Sequence, residues 1–597
     1  MANQYPPVLS AADAEQTPLS SERRNFLKLT AMGGAALSLT SLTRLALGQT
    51  ALDKEQQEEG LRLTRILEEA TIADLQAAMS AGALNARTLV RLYQLRIRLI
   101  DDLLGLRSLI QVNPDAFAIA RDLDLERQNS GPRGPLHGIP VVLKDNIDTA
   151  DQMMTTAGSL ALVGSPALQD ATVAERLRQA GAIILGKANL SEWANFRGFS
   201  SSSGWSAVGG QCGNPYVIDR NPCGSSAGSA AAVSANLCAA ALGTETDGSV
   251  VCPSSTCGVV GIKPTVGLTS RAGVVPISAT QDTVGVHGRT VADAAAVLGP
   301  LTGIDPRDPA TAASSGNSFP DYSQFVDSAG LQGARIGVIR QFSGTTEETD
   351  EVFEQAIQAL RDGGATVIDP VAIPSFDEFN NDSSEIIVLV FEFKRDLNAY
   401  LATRSGVPVS NLAETIAFNQ ANADAELKFF GQQWMELAQD EIFSEAEYLQ
   451  ALERGPRLAG AEGIDAALAA HNLDALVAPT NSPAWPSDLI TGDSFQFGTS
   501  AFAAVAGYPL VTVPAGDAFG LPLGLTFMAS AWSEPTLIRL AAGFEAVNPA
   551  RRRPGFLRTF DSSDSHAAQQ RVQQSADRLK EALLRRSGGL PQRPRLL

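Results

Sequence analysis

Hydrophobic positions recur every three or four residues from Glu55 to Arg98, with Leu63, Ile66, Leu67, Leu75, Leu89, Leu92 and Leu95 set to face inward. That period predicts helices, so residues 55–128 read as a helical segment at the front of the main domain. From Pro114 to Ile304 the pattern changes to short apolar runs alternating with stretches of small residues, the signature of a sheet covered by helices on both faces. Val141-Val142-Leu143 reads as a short buried strand, and Leu237–Thr244 as another that ends in a tight turn at Asp247-Gly248. Ala227–Ala235 is helix-forming. Asp305–Ser323 reads as a surface loop, Arg335–Ile339 and Ala365–Ile368 as strands flanking a helix over Glu351–Arg361, and Ser383–Leu449 as mainly helical. Asp474–Thr480 and Pro509–Pro514 look like strands returning to the core, and residues 550–597 like a peripheral helix with frayed ends.

The chain has 597 residues, enough for about four average domains, although large α/β enzymes often fold as one. With 44% apolar residues it can bury a large core. The 46 basic against 65 acidic side chains give −19, spread along the chain, which argues against nucleic-acid binding. All five cysteines fall between Cys212 and Cys257 in no zinc-binding spacing, and they read as small buried apolar side chains. No metal and no cofactor are expected.

The N-terminus changes the picture. Arg23-Arg24-Asn25-Phe26-Leu27-Lys28 precedes fifteen uncharged residues and then Ala46-Leu47-Gly48. Residues 1–48 thus resemble a twin-arginine (Tat) export signal, with cleavage expected after Gly48 and a periplasmic or secreted product. Its apolar core is shorter than the roughly 18 residues of a spanning helix, so no lasting membrane insertion is expected.

The candidate chemistry lies in a lysine and two serines. A serine hydroxyl needs a base, and the four histidines, His137, His287, His471 and His566, sit in no local catalytic pattern. Lys144 closes the apolar run Val141–Leu143, where burial would lower its pKa and make the amine a usable base; alternatively it snorkels from a strand end or pairs with Asp145. Ser225 and Ser226 precede the small-residue helix, as helix caps or as groups brought close to another side chain. Ser249 ends Gly243-Thr244-Glu245-Thr246-Asp247-Gly248-Ser249, a turn whose successive N–H groups could cradle an anion.

Lys144, Ser225 81 residues on and Ser249 a further 24 on arrive together with many other ordered motifs. These include Gly134-Pro135-Leu136-His137-Gly138-Ile139-Pro140, Gly186-Lys187-Ala188-Asn189, Gly258–Thr265, Ser278–Gly285, Gly507-Tyr508-Pro509 and Gly520–Leu525. Over roughly residues 72–545 the chain resembles the amidase signature family. The resemblance implies one large α/β domain with a central mixed sheet, and a Ser–cis-Ser–Lys triad. In that triad Ser249 would be the nucleophile, Ser225 the cis serine that relays protons, and Lys144 the base. It also places an oxyanion hole at the backbone N–H groups of Thr246, Asp247, Gly248 and Ser249, and a variable substrate entrance at about residues 305–473. Cys223, Ala227, Asp247 and Val251 depart from the common family pattern. With Ser202-Ser203-Gly204-Trp205-Ser206, they look most like bacterial peptide amidases, which release ammonia from peptide C-terminal amides.

The expected substrate is therefore a small-molecule or peptide amide, with fatty-acid, aryl or aliphatic amides as the rival class. Trp193, Phe196, Phe199 and Trp205 could line an apolar channel, although aromatics are more often core. A glutaminase subunit of a transamidation complex shares the motifs, and a non-catalytic binding protein could share the scaffold. The leader argues against the first of these, and the joint presence of Lys144, Ser225 and Ser249 against the second.

Overall fold

A computed structural model describes residues 60–560. The predicted leader and most of the predicted tail helix lie outside the described residues, and the described part of that tail, residues 550–560, is not helical.

The described residues form thirteen strands: β1 (Leu109–Val112), β2 (Pro140–Lys144), β3 (Ile183–Ala188), β4 (Trp205–Ser206), β5 (Gly210–Gln211), β6 (Ala240–Glu245), β7 (Val260–Lys263), β8 (Thr283–Gly288), β9 (Arg335–Ile339), β10 (Thr366–Val371), β11 (Ala475–Pro479), β12 (Leu510–Ala518) and β13 (Leu521–Met528). Eleven of them make one mixed sheet in the order β1-β3-β2-β6-β8-β7-β12-β13-β11-β9-β10, and β4 and β5 pair as a separate small ribbon. The sequence expectation of a central mixed sheet flanked by helices in a single domain holds. Two parallel pairs carry helical crossovers: β2 to β3 through the helix Thr172–Gln179, and β9 to β10 through Glu347–Asp362. Strands β2, β3, β6, β7, β8, β11 and β13 are buried along their whole length, as strands covered on both faces must be.

The front segment is helical over Ile72–Ser80, Ala86–Arg96 and Ala116–Ser130, and it also supplies the edge strand β1. Leu67, Leu75, Leu89, Leu92 and Leu95 are buried, whereas Leu63 and Ile66 are only half-buried. The predicted strand Leu237–Thr244 starts three residues late. Asn236 takes a left-handed turn (φ 58°) and Leu237 N–H bonds back to Ala232 O at 2.8 Å, closing the preceding helix, so strand pairing sets in only at Ala240. Strand β12 runs past Pro514 into a hairpin with β13, because Phe519 (φ 53°) and Gly520 (φ 83°) supply the two positive φ values of a tight turn.

The register fixes the site. Strands β2 and β6 are parallel neighbours, Leu143 opposite Leu242, so Lys144 and Thr244–Glu245 emerge together at the carboxyl ends of adjacent strands. Crevices outside those ends are where open α/β sheets bind ligands.

Candidate active site

Lys144 is completely buried. Its Nζ lies 2.7 Å from Ser225 Oγ, 2.8 Å from Thr244 Oγ1 and 3.1 Å from Thr244 O, and Asn146 Nδ2 donates to the same Thr244 hydroxyl at 3.0 Å. A neutral amine has two N–H donors and one lone pair. The Thr244 carbonyl can only accept, so donating both hydrogens to Thr244 leaves the lone pair for the Ser225 hydroxyl. Burial pushes Lys144 down to about 7, against the opposing pull of the Asp282 and Glu245 carboxylates. Asp145 does not pair with it. Successive strand side chains point to opposite faces, and the Asp145 carboxylate accepts from Thr156 N–H at 3.1 Å with Lys187 nearby.

The Gly224–Ser225 peptide bond is cis. Gly224 has no room for a side chain: a Cβ there would fall 2.1 Å from Ser191 Oγ. Ser191 N–H donates to Ser225 O at 3.0 Å, and Ser226 N–H donates to Ser249 O at 3.2 Å, which ties the two serine loops together. Neither Ser225 nor Ser226 caps the helix Ala227–Ser234. The capping alternative fails because Ser225 Oγ is taken by Lys144 and Ser226 Oγ donates to Thr244 O at 3.1 Å.

The turn after β6 is held from below. Glu245, at the strand end, accepts from Val250 N–H (2.7 Å) and Val251 N–H (3.0 Å), closing Thr246–Ser249 into a loop at the start of the helix Val251–Thr256. Gly248 adopts φ 75°, and a Cβ there would meet Ser500 Oγ at 3.0 Å. Thr246 Oγ1 donates to Asp282 at 2.6 Å. The N–H groups of Asp247, Gly248 and Ser249 donate to no protein acceptor among the described residues. Ser249 is 8% exposed, and its hydroxyl makes no hydrogen bond among the described residues.

A cavity of about 550 Å³ opens over this turn, lined by Gly224, Asp247, Gly248, Asn481 and Asp493 among others. Phe199 stands at its mouth, 58% exposed, against Trp434 from the variable segment at 4.6 Å between ring centroids. Trp193, Phe196 and Trp205 are buried in packing, so of the four aromatics considered for a channel only Phe199 lines the cavity.

The described histidines are not placed as a base. His287 is buried against Ser254 Oγ (2.8 Å) and held down to about 3 by burial and by Lys144, while His137 binds Leu123 O. Among the described residues no histidine bonds either serine hydroxyl, and no group of three or more His, Cys, Asp or Glu side chains is placed to hold a metal. No described helix is long and apolar enough to cross a membrane.

The reading of all five cysteines as simple apolar filling is corrected for two of them. Cys223 and Cys252 form a disulfide, while Cys212, Cys238 and Cys257 are free and buried. The bridge follows from the chain path: Ser226 N–H on Ser249 O brings the loop before Ser225 against the helix after Ser249. It ties these two segments together across a 29-residue separation, a loop whose closure stabilises by about 3–4 kcal/mol on chain entropy alone. Sequence reasoning also missed Thr244, Asn146, Glu245 and Asp282 as the groups that seat the lysine and the turn.

A family model described as Amidase matches residues 88–538. The chain belongs to the amidase family. This amidase is 51% identical to the native peptide amidase from Stenotrophomonas maltophilia, with a TM-score of 0.77 over 82% of this chain and 99% of that one. It is 43% identical to an Arabidopsis thaliana protein described as a probable amidase, over 83% of this chain and 93% of that protein. It is also 32% identical to a subunit of the glutamyl-tRNA(Gln) amidotransferase of Halorhodospira halophila, over 80% of this chain and 97% of that one. It is an amide-hydrolysing enzyme that acts on carbon–nitrogen bonds.

Proposed function

We propose that this amidase converts C-terminal peptide amides to the free acid and ammonia through an acyl-enzyme on Ser249. The observation that carries the mechanism is the 2.7 Å contact between a buried, readily neutralised Lys144 and Ser225. Ser249 Oγ attacks the amide carbon, its proton passing to Ser225 while the Ser225 proton passes to Lys144 Nζ. The oxyanion is held by the N–H groups of the Thr246–Ser249 turn; one such donor is worth about 3–4 kcal/mol of barrier. When the C–N bond breaks, the proton returns through Ser225 to the leaving nitrogen, and ammonia departs. Water then repeats the attack on the ester and releases the acid. The likeness to peptide amidases supports the substrate class.

Ammonia release from a peptide amide, an oleamide-like lipid amide, benzamide and free glutamine tests this. The peptide amide is expected to give the highest kcat/KM, by at least about tenfold. A preference for lipid or aryl amides would keep the chemistry and overturn the substrate. A preference for glutamine would favour the second reading, a glutaminase subunit, which the likeness to the tRNA amidotransferase supports.

We also propose export by the Tat route to the periplasm or medium. The twin arginines Arg23-Arg24 support it, as does a disulfide that persists best in an oxidising compartment. Replacing both arginines by lysine is expected to leave an uncleaved cytosolic precursor with Cys223 and Cys252 reduced, as read by fractionation and thiol titration. Normal export of that variant would refute the route.

A further inference from the structure

The cavity over the Asp247-Gly248 turn, next to Ser249, has a one-sided charge balance. Two carboxylates line it, Asp247 and Asp493, and among the described lining residues there is no lysine, arginine or histidine. The two acids are not equivalent. Asp493 is consumed by the fold: it accepts from Ser203 N–H, Ser203 Oγ at 2.5 Å, Asn221 Nδ2 at 3.0 Å and Trp485 Nε1 at 3.1 Å. Asp247 accepts one bond, from Ser500 Oγ at 2.5 Å, and its side chain is exposed to the cavity with the second oxygen unpartnered among the described residues.

Three further observations point the same way. Glu385, half-buried, interacts with Asp247 and accepts from Gln281 Nε2 at 3.0 Å. Burial, then the Asp247 carboxylate, push it up to about 8; burial raises Asp247 too, against the pull of Ser500 and Lys263, and of the two acids only Asp247 lines the cavity. Lys263, buried and not part of the cavity lining, is bound to the Ala503 and Tyr508 carbonyls, and its charge is shared among Glu245, Glu534 and Asp247. Asn481 of the cavity wall, 1% exposed, gives its amide N–H to Ser482 O and leaves Oδ1 buried without a partner among the described residues. Phe199, Trp434, Trp485 and Phe495 supply aromatic surface, which also attracts cations.

We infer that Asp247 is a specificity residue that selects amides carrying an ammonium or guanidinium group close to the scissile carbonyl. This rests on the reading of Ser249 as the nucleophile, since Asp247 stands two residues before it. The same charge disfavours acids. A free C-terminal carboxylate, including that of the product, would meet Asp247 with no cation to pair with, so the acid leaves and does not compete with the amide. The net charge of −19 adds a long-range attraction for cationic substrates.

Two matched pairs of peptide amides test the inference: an N-acetyl dipeptide amide ending in lysine against the same peptide ending in norleucine, and a dipeptide amide with a free against an acetylated N-terminus. In the wild type the cationic member of at least one pair is expected to have the higher kcat/KM by about tenfold or more, the gap narrowing at 0.5 M salt. Asp247→Asn is expected to bring that ratio close to unity, and Asp247→Glu to preserve it. The ratio is read within each variant, so a general loss of activity does not obscure it. Ratios in both pairs that stay within twofold of wild type in Asp247→Asn would overturn the inference while leaving the peptide-amidase reading intact. A wild type that cleaves none of these amides yet labels with a fluorophosphonate would overturn the peptide-amide reading, and the inference with it.

Discussion

Replacing Ser249 by alanine is expected to lower kcat/KM for a peptide amide by roughly 10⁴-fold or more, the scale on which nucleophile removal acts in serine hydrolases. It should also abolish covalent labelling by a fluorophosphonate, in which the serine oxygen bonds to phosphorus and fluoride leaves. The protein should otherwise be unchanged. The Ser249 hydroxyl makes no hydrogen bond among the described residues, and the bond that ties its loop to Ser226 comes from the backbone carbonyl, which alanine keeps. A melting temperature within about 2 °C of wild type is therefore expected, since substitutions that leave buried contacts intact usually change stability by less than about 0.5 kcal/mol. Ser225 is the informative comparison. Its hydroxyl is bonded to Lys144, so Ser225→Ala leaves a buried amine short of a partner and should cost stability as well as activity. Full labelling of Ser249→Ala, with the adduct on Ser225, would exchange the two roles.

The fold was largely legible in the chain, and the reason is periodicity. Short apolar runs such as Val141–Leu143 and Ala475–Ala478 can only be strands buried on both faces once small-residue helices intervene. Boundaries were less legible where local turn chemistry competes with the pattern. The left-handed turn at Asn236 that closes one helix took three residues from the start of a strand, and the hairpin at Phe519-Gly520 carried β12 beyond a proline that looked like its end. At the site, the positions of Lys144, Ser225 and Ser249 could be named from motif order, but their surroundings could not. Thr244 takes two of the contacts of Lys144 Nζ, yet in the sequence it is one more residue in an apolar run. The disulfide was equally hidden. Five closely spaced cysteines allow many pairings, and the fold, with Ser226 N–H bonded to Ser249 O, sets Cys223 rather than Cys212 beside Cys252. The charge balance of the cavity was out of reach for the same reason, since Asp247 and Asp493 are brought together by the fold.

The second large effect is expected at Lys144. Lys144→Met should slow acylation by about 10²–10⁴-fold, the range for a lost general base, and Lys144→Arg should not restore it because a guanidinium stays charged at any working pH. The wild-type pH profile follows from the same group. With Lys144 held down to about 7 by burial, the protonated, inactive form dominates below that pH; kcat/KM should rise tenfold per unit there and level off above about 8. Stability should carry a matching signature. The folded protein binds this proton less tightly than the unfolded chain, whose lysine titrates near roughly 10.4. The destabilisation is therefore complete below about 7, and it fades as pH rises through the window between the two values. Lys144→Met removes that contribution, so the variant should gain stability relative to wild type at pH 7, and the gain should shrink towards pH 10. An enzyme whose base is seated at a cost to its own fold behaves in this way, active and stable in opposite measure at one residue. Near-normal turnover in Lys144→Arg, or a kcat/KM that is flat from pH 5 to 9, would remove the lysine from the proton path and require a different base for Ser225.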